Sequence, residues 1–474
     1  MKKSHLLYIP VVVLLAACKV GPDYERPEVP AMQAYPEVTA SSAQPVQAEW
    51  WKQFNDNELN DLVTKALKAN ADLQVAAAKV EQATASYADV SGAALPQINA
   101  GGGVTQTRVS NDGYSPITSY AGRNRTDFTA NLSTTFELDF WGKIRRASEA
   151  SRAQLLASSE ARLQVELAMV SSVVRTYALV GALDLQVENA TQLLAIRAEE
   201  SRIIGERIKA GVGSPSEKAQ AEVLHSAAVS ALSDLRRARA NAEHLLGALI
   251  SQPDLVVAPK SKALPMKVAA PAVGLPSDLL HRRPDVLAAE QTLISANALI
   301  GYNKAFFFPS FSLTGSGGVE SRQLNSLFSV GNDTGLVGLG FSVPLLDWGR
   351  TQAHVDVAVG VRNEAAANYN RIILNAFREV RDALTGLNEL GVSATAAKQR
   401  LTSAQEGLRI EKARLARGEV TPLTELAARR TVAESQIALT QVLLQQLSAE
   451  VDLVQALGGA RPDVTPADAN AKKL

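Results

Sequence analysis

The side chains that could carry chemistry are few, and their spacing does not suit catalysis. The five histidines, His5, His225, His244, His281 and His354, are scattered through 474 residues. They form no His-Glu-x-x-His pair and no spacing that would hold a metal. No G-x-S-x-G, phosphate-binding loop or G-x-G-x-x-G stretch occurs. Paired carboxylates are numerous, but they fall on long helical patterns, where carboxylates are surface charge. The pattern is that of a protein that is not an enzyme and needs no cofactor.

One residue stands apart. Cys18 is the only cysteine, so structural disulfides and thiolate metal sites are excluded. It follows Lys2 and Lys3, an apolar run from Leu6 to Leu15, and Ala16-Ala17. That run is too short to span a bilayer and reads as a signal peptide, residues 1–17. Leu15-Ala16-Ala17-Cys18 looks like a bacterial lipobox, in which the cysteine sulfur is acylated and becomes the mature N-terminus. Acyl chains there anchor the chain to a membrane. Lys19 stands where an aspartate would signal retention in the inner membrane.

The elements that would position any site follow from two periods. From Asp127 to Phe140, Phe128, Ala130, Leu132, Thr134, Phe136, Leu138 and Phe140 alternate with polar residues, which is a β-strand with one oily and one wet face. After Trp141-Gly142 the apolar positions Leu163, Leu167, Val170, Val174, Tyr177, Val180, Leu183, Val187, Ala190 and Leu194 step by three or four. This spacing predicts a helix from Lys143 to Ala210, roughly 100 Å long at about 1.5 Å per residue.

The pattern then repeats. Trp141-Gly142-Lys143 recurs as Trp348-Gly349-Arg350, Arg207 to Gly211 as Arg414 to Gly418, and Pro215 as Pro422, all 207 residues later. Upstream, Ala71-Asp72-Leu73 matches Pro284-Asp285-Val286 and Leu95-Pro96 matches Phe308-Pro309, both 213 later. The chain is two copies of one unit: helix, strand, strand, long helix, turn, helix. Further strands alternate at Ile98 to Val104, Phe311 to Leu313 and Val337 to Leu345. Four strands cannot close a barrel, and an open edge is not tolerated in lipid. A membrane-spanning sheet of this kind must be shared, and three chains of four strands would make twelve, an even number.

The domains expected are the signal peptide, a lipidated extended strap (18–49) rather than a packed element, a first repeat (50–250), a crossover linker (251–275), a second repeat (276–460) and a polar tail (461–474). Trp50, Trp51 and Phe54 announce a first helix from Asn57 to Ala93. The stretches Asn111 to Asn124 and Glu320 to Thr334 read as hairpin loops. Lys plus Arg equals Asp plus Glu, at 48 each, so no net field recruits nucleic acid. The pairs Arg145-Arg146, Arg236-Arg237 and Arg282-Arg283 read as solvated helix faces.

Several stretches together resemble a known family. They are the lipobox, Val20-Gly21-Pro22-Asp23-Tyr24 with Pro27, Glu137-Leu138-Asp139-Phe140-Trp141-Gly142, Leu279-Leu280-x-Arg282-Arg283-Pro284-Asp285 and Phe307-Phe308-Pro309-Ser310. The chain resembles the TolC-like outer-membrane efflux lipoproteins of the NodT or OprM group over nearly its whole length. The resemblance implies an α+β membrane protein: a homotrimer with a twelve-stranded β-barrel, four strands per chain, continued by a long α-helical coiled-coil tunnel in the periplasm. It implies a passive conduit for drugs or other small organic solutes, working with a periplasmic adaptor and an inner-membrane pump of the resistance-nodulation-division type. A protein-secretion conduit of the type I kind would share the fold and is the alternative. Trp141, Gly142, Trp348 and Gly349 would mark the junction of barrel and tunnel. The turns at Gly211 to Pro215 and Gly418 to Pro422 would be the periplasmic tips. There Arg207, Gly211, Arg414 and Gly418 match an adaptor-facing Arg-x-x-x-Gly, and Leu423 matches a pore-narrowing leucine. Where relatives place a gate aspartate and a tyrosine, this chain has Ala427 and Leu415, and Glu425 or Glu217 would substitute.

Overall fold

Both periods are realised in the structure, a computed structural model that describes residues 19–29, 32, 35, 46–110, 123–259 and 276–459, with the backbone alone at 276–278. Cys18 and the signal peptide, most of the loop 111–124, residues 260–275 of the crossover and the tail 461–474 lie outside the described residues. In chain order the elements are α1 Asn57–Ala69, α2 Ala71–Gly92, β1 Gln97–Arg108, β2 Asn124–Leu138, α3 Lys143–Lys209, α4 Pro215–Leu249, α5 Pro276–Arg282, α6 Pro284–Lys304, β3 Ser310–Ser321, β4 Asp333–Ser342, α7 Arg350–Ala416 and α8 Pro422–Ala456.

The repeat holds in element length. Helices α3 and α7 both run 67 residues, and α4 and α8 both run 35. It also holds in strand register. Gln97 lies opposite Thr135 in the first hairpin, and Ser310 opposite Ser342 in the second, which are the same positions moved by the two sequence offsets.

Three boundaries differ from the sequence reading. The expected first helix is broken at Asn70, whose backbone is extended (φ −61°, ψ 130°). Its side chain donates to the Leu249 carbonyl at 2.8 Å and accepts from Leu73 N at 3.1 Å, so it caps the start of α2. Strand β2 stops before Asp139, because that carboxylate already accepts from Ile144 N and Arg145 N and caps α3. Strand β4 stops at Ser342, two residues before Pro344, which has no N–H for a ladder.

The chain forms two compact units, and neither is one repeat. The first holds the described residues up to Glu28, 79–159 and 288–369; the second holds 29–78, 160–287 and 370 onward. In the first unit the four strands form one antiparallel sheet in the order β1-β2-β3-β4. Directly opposed residues share a face. One face therefore carries Ile98, Ala100 and Val104 of β1, Phe128, Leu132, Phe136 and Leu138 of β2, Phe311, Leu313 and Val319 of β3, and Val337, Leu339 and Phe341 of β4. The other face carries Asn99, Asn131, Ser133, Thr135, Glu137, Ser312, Thr314 and Ser316, with Leu336 its large apolar exception. Phe128 to Leu138 spans about 33 Å of strand, or about 25 Å once tilted as in a membrane barrel.

The second unit has a conventional core. Trp50, Trp51 and Phe54 pack with Leu62 and Val63 of α1, Val173, Val174 and Tyr177 of α3, Leu246 of α4 and Ile250 just after it, and Val451 and Val454 of α8. An 18-residue window of α3 is apolar enough by composition to cross a membrane, but 67% of it is buried. Its oily face is core.

The Tyr177 hydroxyl donates to Asp56 Oδ2 at 2.7 Å, while Asp56 Oδ1 caps α1 through Glu58 N and Leu59 N. Burial pushes the Tyr177 hydroxyl pKa up, and the hydrogen bond to Asp56 adds to it. A raised pKa contributes stability that is complete below the unfolded value, about 10 for tyrosine, and is lost as pH rises through the higher folded value. Tyr177→Phe is expected to cost about 1–2 kcal/mol at neutral pH, with the gap to the parent narrowing at strongly alkaline pH. Urea midpoints followed by far-ultraviolet circular dichroism measure both.

Candidate functional site

In the first unit a segment from Lys19 to Pro27 lies against the corner where β2 becomes α3. It forms neither helix nor strand, and it is held like a packed element. Val20 N donates to the Trp141 carbonyl at 3.1 Å. The Arg146 guanidinium, fully buried, donates to the carbonyls of Val20 and Gly21 at 3.1 Å and to Asp23 and Glu149 at 3.0 Å. Lys19 Nζ reaches the same Glu149 at 2.6 Å. Further along, Arg26 forks onto buried Glu290 of α6 with two bonds of 2.7 Å, and the Tyr24 hydroxyl donates to it at 3.1 Å. Burial first, and then the Glu290 charge, push the Tyr24 hydroxyl pKa up. The crossing needs glycine on both sides: a Cβ on Gly21 would lie 2.4 Å from Gly301 Cα, and one on Gly301 would lie 2.5 Å from the Val20 oxygen.

The two junction tryptophans are not equivalent. Trp141 stacks on Phe308, centroids 4.8 Å apart, and its indole N–H donates to the Pro309 carbonyl at 2.7 Å. Trp348 is 89% exposed and sits at φ +56°. Its helix is capped by Asp347, which accepts from Gly349 N and Thr351 N, so the cap lies one residue closer to the tryptophan than Asp139 does. Hydrogen bonds from Thr351 hold the Asp347 carboxyl below its ordinary pKa. Beside the Trp141 corner lies a cleft of about 610 Å³ lined by Glu137, Lys143, Tyr302, Phe306, Arg350 and His354.

The turns expected to be tips lie in the second unit and share one geometry. At the first, Gly211 takes φ +75°, its N–H donates to Ile208 O, and Val212 N donates to Arg207 O at 2.9 Å. At the second, Gly418 takes φ +73°, its N–H donates to Leu415 O, and Glu419 N donates to Arg414 O at 3.0 Å. Each is a Schellman closure. The Arg-x-x-x-Gly spacing thus places the arginine carbonyl as the closing acceptor. Pro215 and Pro422 then start the next helices, as expected of proline at a first turn.

The side chains differ more than the backbones. Arg207 is exposed and, among the described residues, approaches the Val212 carbonyl at 3.5 Å, whereas Arg414 pairs with Glu411 at 3.0 Å and Glu419 at 3.5 Å. The Arg417 hydrogen bond, with help from Arg414, holds the Glu419 carboxyl below its usual pKa. Glu217 completes the capping box of Ser214 on α4. Glu425 is buried and takes the Arg429 guanidinium of its own helix, while Leu423 is half-buried. Two features escaped the sequence reading. Glu200 of α3 joins Arg197 at 2.9 Å and Arg430 of α8 at 3.4 Å, bridging two helices. Of the three arginine pairs read as solvated, Arg236-Arg237 is exposed at both positions, whereas Arg146 and Arg283 are buried beside exposed Arg145 and Arg282.

A family model described as outer membrane efflux protein matches residues 62–252 and 275–459. The toluene efflux pump outer membrane protein TtgF of Pseudomonas putida is 31% identical over 474 residues, covering 98% of each chain. The cation efflux system protein CusC of Escherichia coli K12 is 30% identical over 469 residues, covering 97% of this chain and all of its own. The CmeC outer membrane channel of Campylobacter jejuni superposes with a TM-score of 0.85 at 25% identity, over 96% of this chain and 98% of its own.

The strap's seat depends on Arg146. Arg146→Ala would leave two backbone carbonyls and two carboxylates without their buried partner, at a cost of about 3–5 kcal/mol. Trypsin cleavage after Lys19, slow in the parent, is expected to become fast in the variant while the far-ultraviolet spectrum of the helices is retained.

Proposed function

The chain belongs to the outer membrane efflux protein family, and on that premise we propose how its residues serve as the outer-membrane channel of an efflux pump. It spans the outer membrane and extends into the periplasm. The observation that carries the reading is the sheet: one continuous apolar face, and two outer edges that pair with no further strand among the described residues, in the order β1-β2-β3-β4. Unpaired backbone groups are too costly for lipid, so three chains close twelve strands, with oily faces outward and wet faces on a lumen. The 67-residue helices α3 and α7 continue that lumen as a tunnel.

Within this reading the residues take the following roles. Cys18 is acylated after removal of residues 1–17. The strap, 18–49, then fixes the acyl chains one residue from the corner that Lys19 and Val20 occupy. Residues 50–250 and 276–460 are the two repeats, joined by 251–275 and followed by a polar tail. Trp141, Gly142, Trp348 and Gly349 mark the change from barrel to tunnel. Arg207, Gly211, Arg414 and Gly418 meet a periplasmic adaptor, with Arg207 the more open of the two guanidiniums. Leu423 narrows the pore, and Glu425 with Arg429 holds the start of α8 behind it. Glu217, engaged in its capping box, keeps the tip of α4 in shape. An inner-membrane pump of the resistance-nodulation-division type supplies cargo and energy. The channel itself catalyses nothing and binds no nucleic acid. Docking opens the tips by favouring the splayed arrangement of helices, a population shift.

Cargo is set elsewhere in the machine. One relative is named for toluene and another for cations at nearly equal identity. The chain's four methionines, Met1, Met32, Met169 and Met266, form no cluster suited to copper or silver. Drugs and organic solutes are the favoured cargo. Deleting the gene is expected to raise intracellular dye and antibiotic levels with an unchanged secreted-protein profile; lost secretion with normal accumulation would favour the protein-secretion conduit. Leu423→Ala is expected to raise the single-channel conductance of the purified protein in a planar bilayer, and an unaltered closed state would remove Leu423 from the gate.

A further inference from the structure

The two copies of the repeat differ in charge where their long helices begin. Lys143 opens α3 and Arg350 opens α7, 207 residues apart, so they are equivalent positions. Lys143 Nζ is neutralised by Glu137 Oε1 at 2.5 Å, but the position equivalent to Glu137 is Pro344. Arg350 has lost that carboxylate. Among the described residues its guanidinium has no hydrogen bond or ion pair, and neither does the imidazole of His354, one turn further along the same face of α7. Both side chains are exposed.

Arg350 and His354 line the cleft of about 610 Å³ beside the Trp141 corner, a size that suits a small molecule. The carboxylates of that cleft are already engaged: Glu137 holds Lys143, Asp139 caps α3 and pairs with Arg145, and Asp347 caps α7. The charge left without a partner is therefore positive. The rest of the lining is aromatic. Trp141 stacks on Phe308, and Tyr302 meets Phe306 edge-on with centroids 5.3 Å apart. In the first copy the positions equivalent to Tyr302, Phe306 and Phe308, 213 residues earlier, are Asp89, Ala93 and Leu95, so this wall exists once per chain.

We propose that the cleft binds a planar organic anion of the aromatic carboxylate class, with its ring against the Tyr302–Phe306 and Trp141–Phe308 pairs and its carboxylate on Arg350 and His354. A guanidinium presents paired N–H groups that match the two oxygens of a carboxylate. Offset and edge-on ring contacts accept many ring systems, so the class is set by charge and planarity rather than by one exact shape. Glu137, Ser310 and Ser342 line the cleft from the wet face of the sheet. On the channel reading that face borders the lumen, so the anion arrives from the conduit and lipid is not the occupant. Only this placement depends on that reading, because the lining itself belongs to one chain.

The probe is naphthoate, followed by equilibrium dialysis against the full-length protein purified from outer membranes in detergent, with detergent alone as background. Naphthylmethylammonium carries the opposite charge on the same ring. Naphthoate should bind in the sub-millimolar range expected of so small a ligand, and the cation should bind far more weakly. Arg350→Ala should weaken naphthoate about tenfold, the scale of a charge-assisted hydrogen bond, and so should Pro344→Glu, which gives Arg350 the kind of partner that Lys143 has. Arg350→Lys should recover part of the loss, and Phe306→Leu should weaken naphthoate severalfold. Equal affinity for the two probes overturns the site, and this comparison uses the parent alone, so it decides even where a variant fails to fold. Naphthoate binding that Arg350→Ala and Pro344→Glu leave unchanged also overturns it, as does no binding to the parent, the result expected if a neighbouring copy fills the cleft. Dye accumulation in the deletion strain separates the channel reading from the site. Raised accumulation without naphthoate binding removes the site and keeps the channel; Arg350-dependent binding with unchanged accumulation keeps the site and removes its place in a conduit.

Discussion

Every strand in this molecule must satisfy its backbone hydrogen bonds, and lipid offers no water to help. Most of the architecture follows from that demand. Inside the chain it is met across β1-β2, β2-β3 and β3-β4, and among the described residues it is left open along the outer edges of β1 and β4. A soluble protein would blunt such edges with charge or cover them with a helix. Here they carry Val104, Leu339 and Phe341, exposed in the single chain. An edge of that composition is stable only when another strand lies beside it and lipid lies over it, and three chains provide both.

The helical part obeys a different rule. Helix α3 is stabilised by burial against α1, α4 and α8, and the aromatic trio Trp50, Trp51 and Phe54 belongs to that core. Charge enters where backbone must be held without regular structure. Arg146 gathers the strap's carbonyls, and Glu290 gathers Arg26 and Tyr24. An extended segment has no internal hydrogen bonds, so each carbonyl it buries needs a donor from elsewhere. A buried arginine with five N–H groups supplies several at once.

The repeat is closely kept in length and register, and it departs from symmetry at its corners. Trp141 has Phe308 and Pro309 beneath it and the strap beside it; among the described residues Trp348 has neither. The corner on the inner seam is complete within one chain, and the corner on the outer edge is not. The tips show a milder asymmetry: two equal Schellman closures carry arginines with unequal partners, so Arg207 and Arg414 are not interchangeable even though their sequence contexts match.

The sequence by itself determined what periodicity and repetition can encode. Alternation of two marked the strands, a step of three to four marked α3, and the offsets of 207 and 213 marked the copies. These are local signals, because a side chain's face follows from its own neighbours along the chain. The Gly-x-x-x-Pro turns were legible for the same reason, since closure and restart are set within a few residues. Tertiary structure alone decided which member of Arg145-Arg146 and of Arg282-Arg283 is buried, that Asn70 breaks a helical pattern by bonding to Leu249, that the strap is pinned, and that Glu200 meets Arg430. Each of those depends on a partner tens to hundreds of residues away. No period in the chain records where such a partner will lie, and only packing brings the two together.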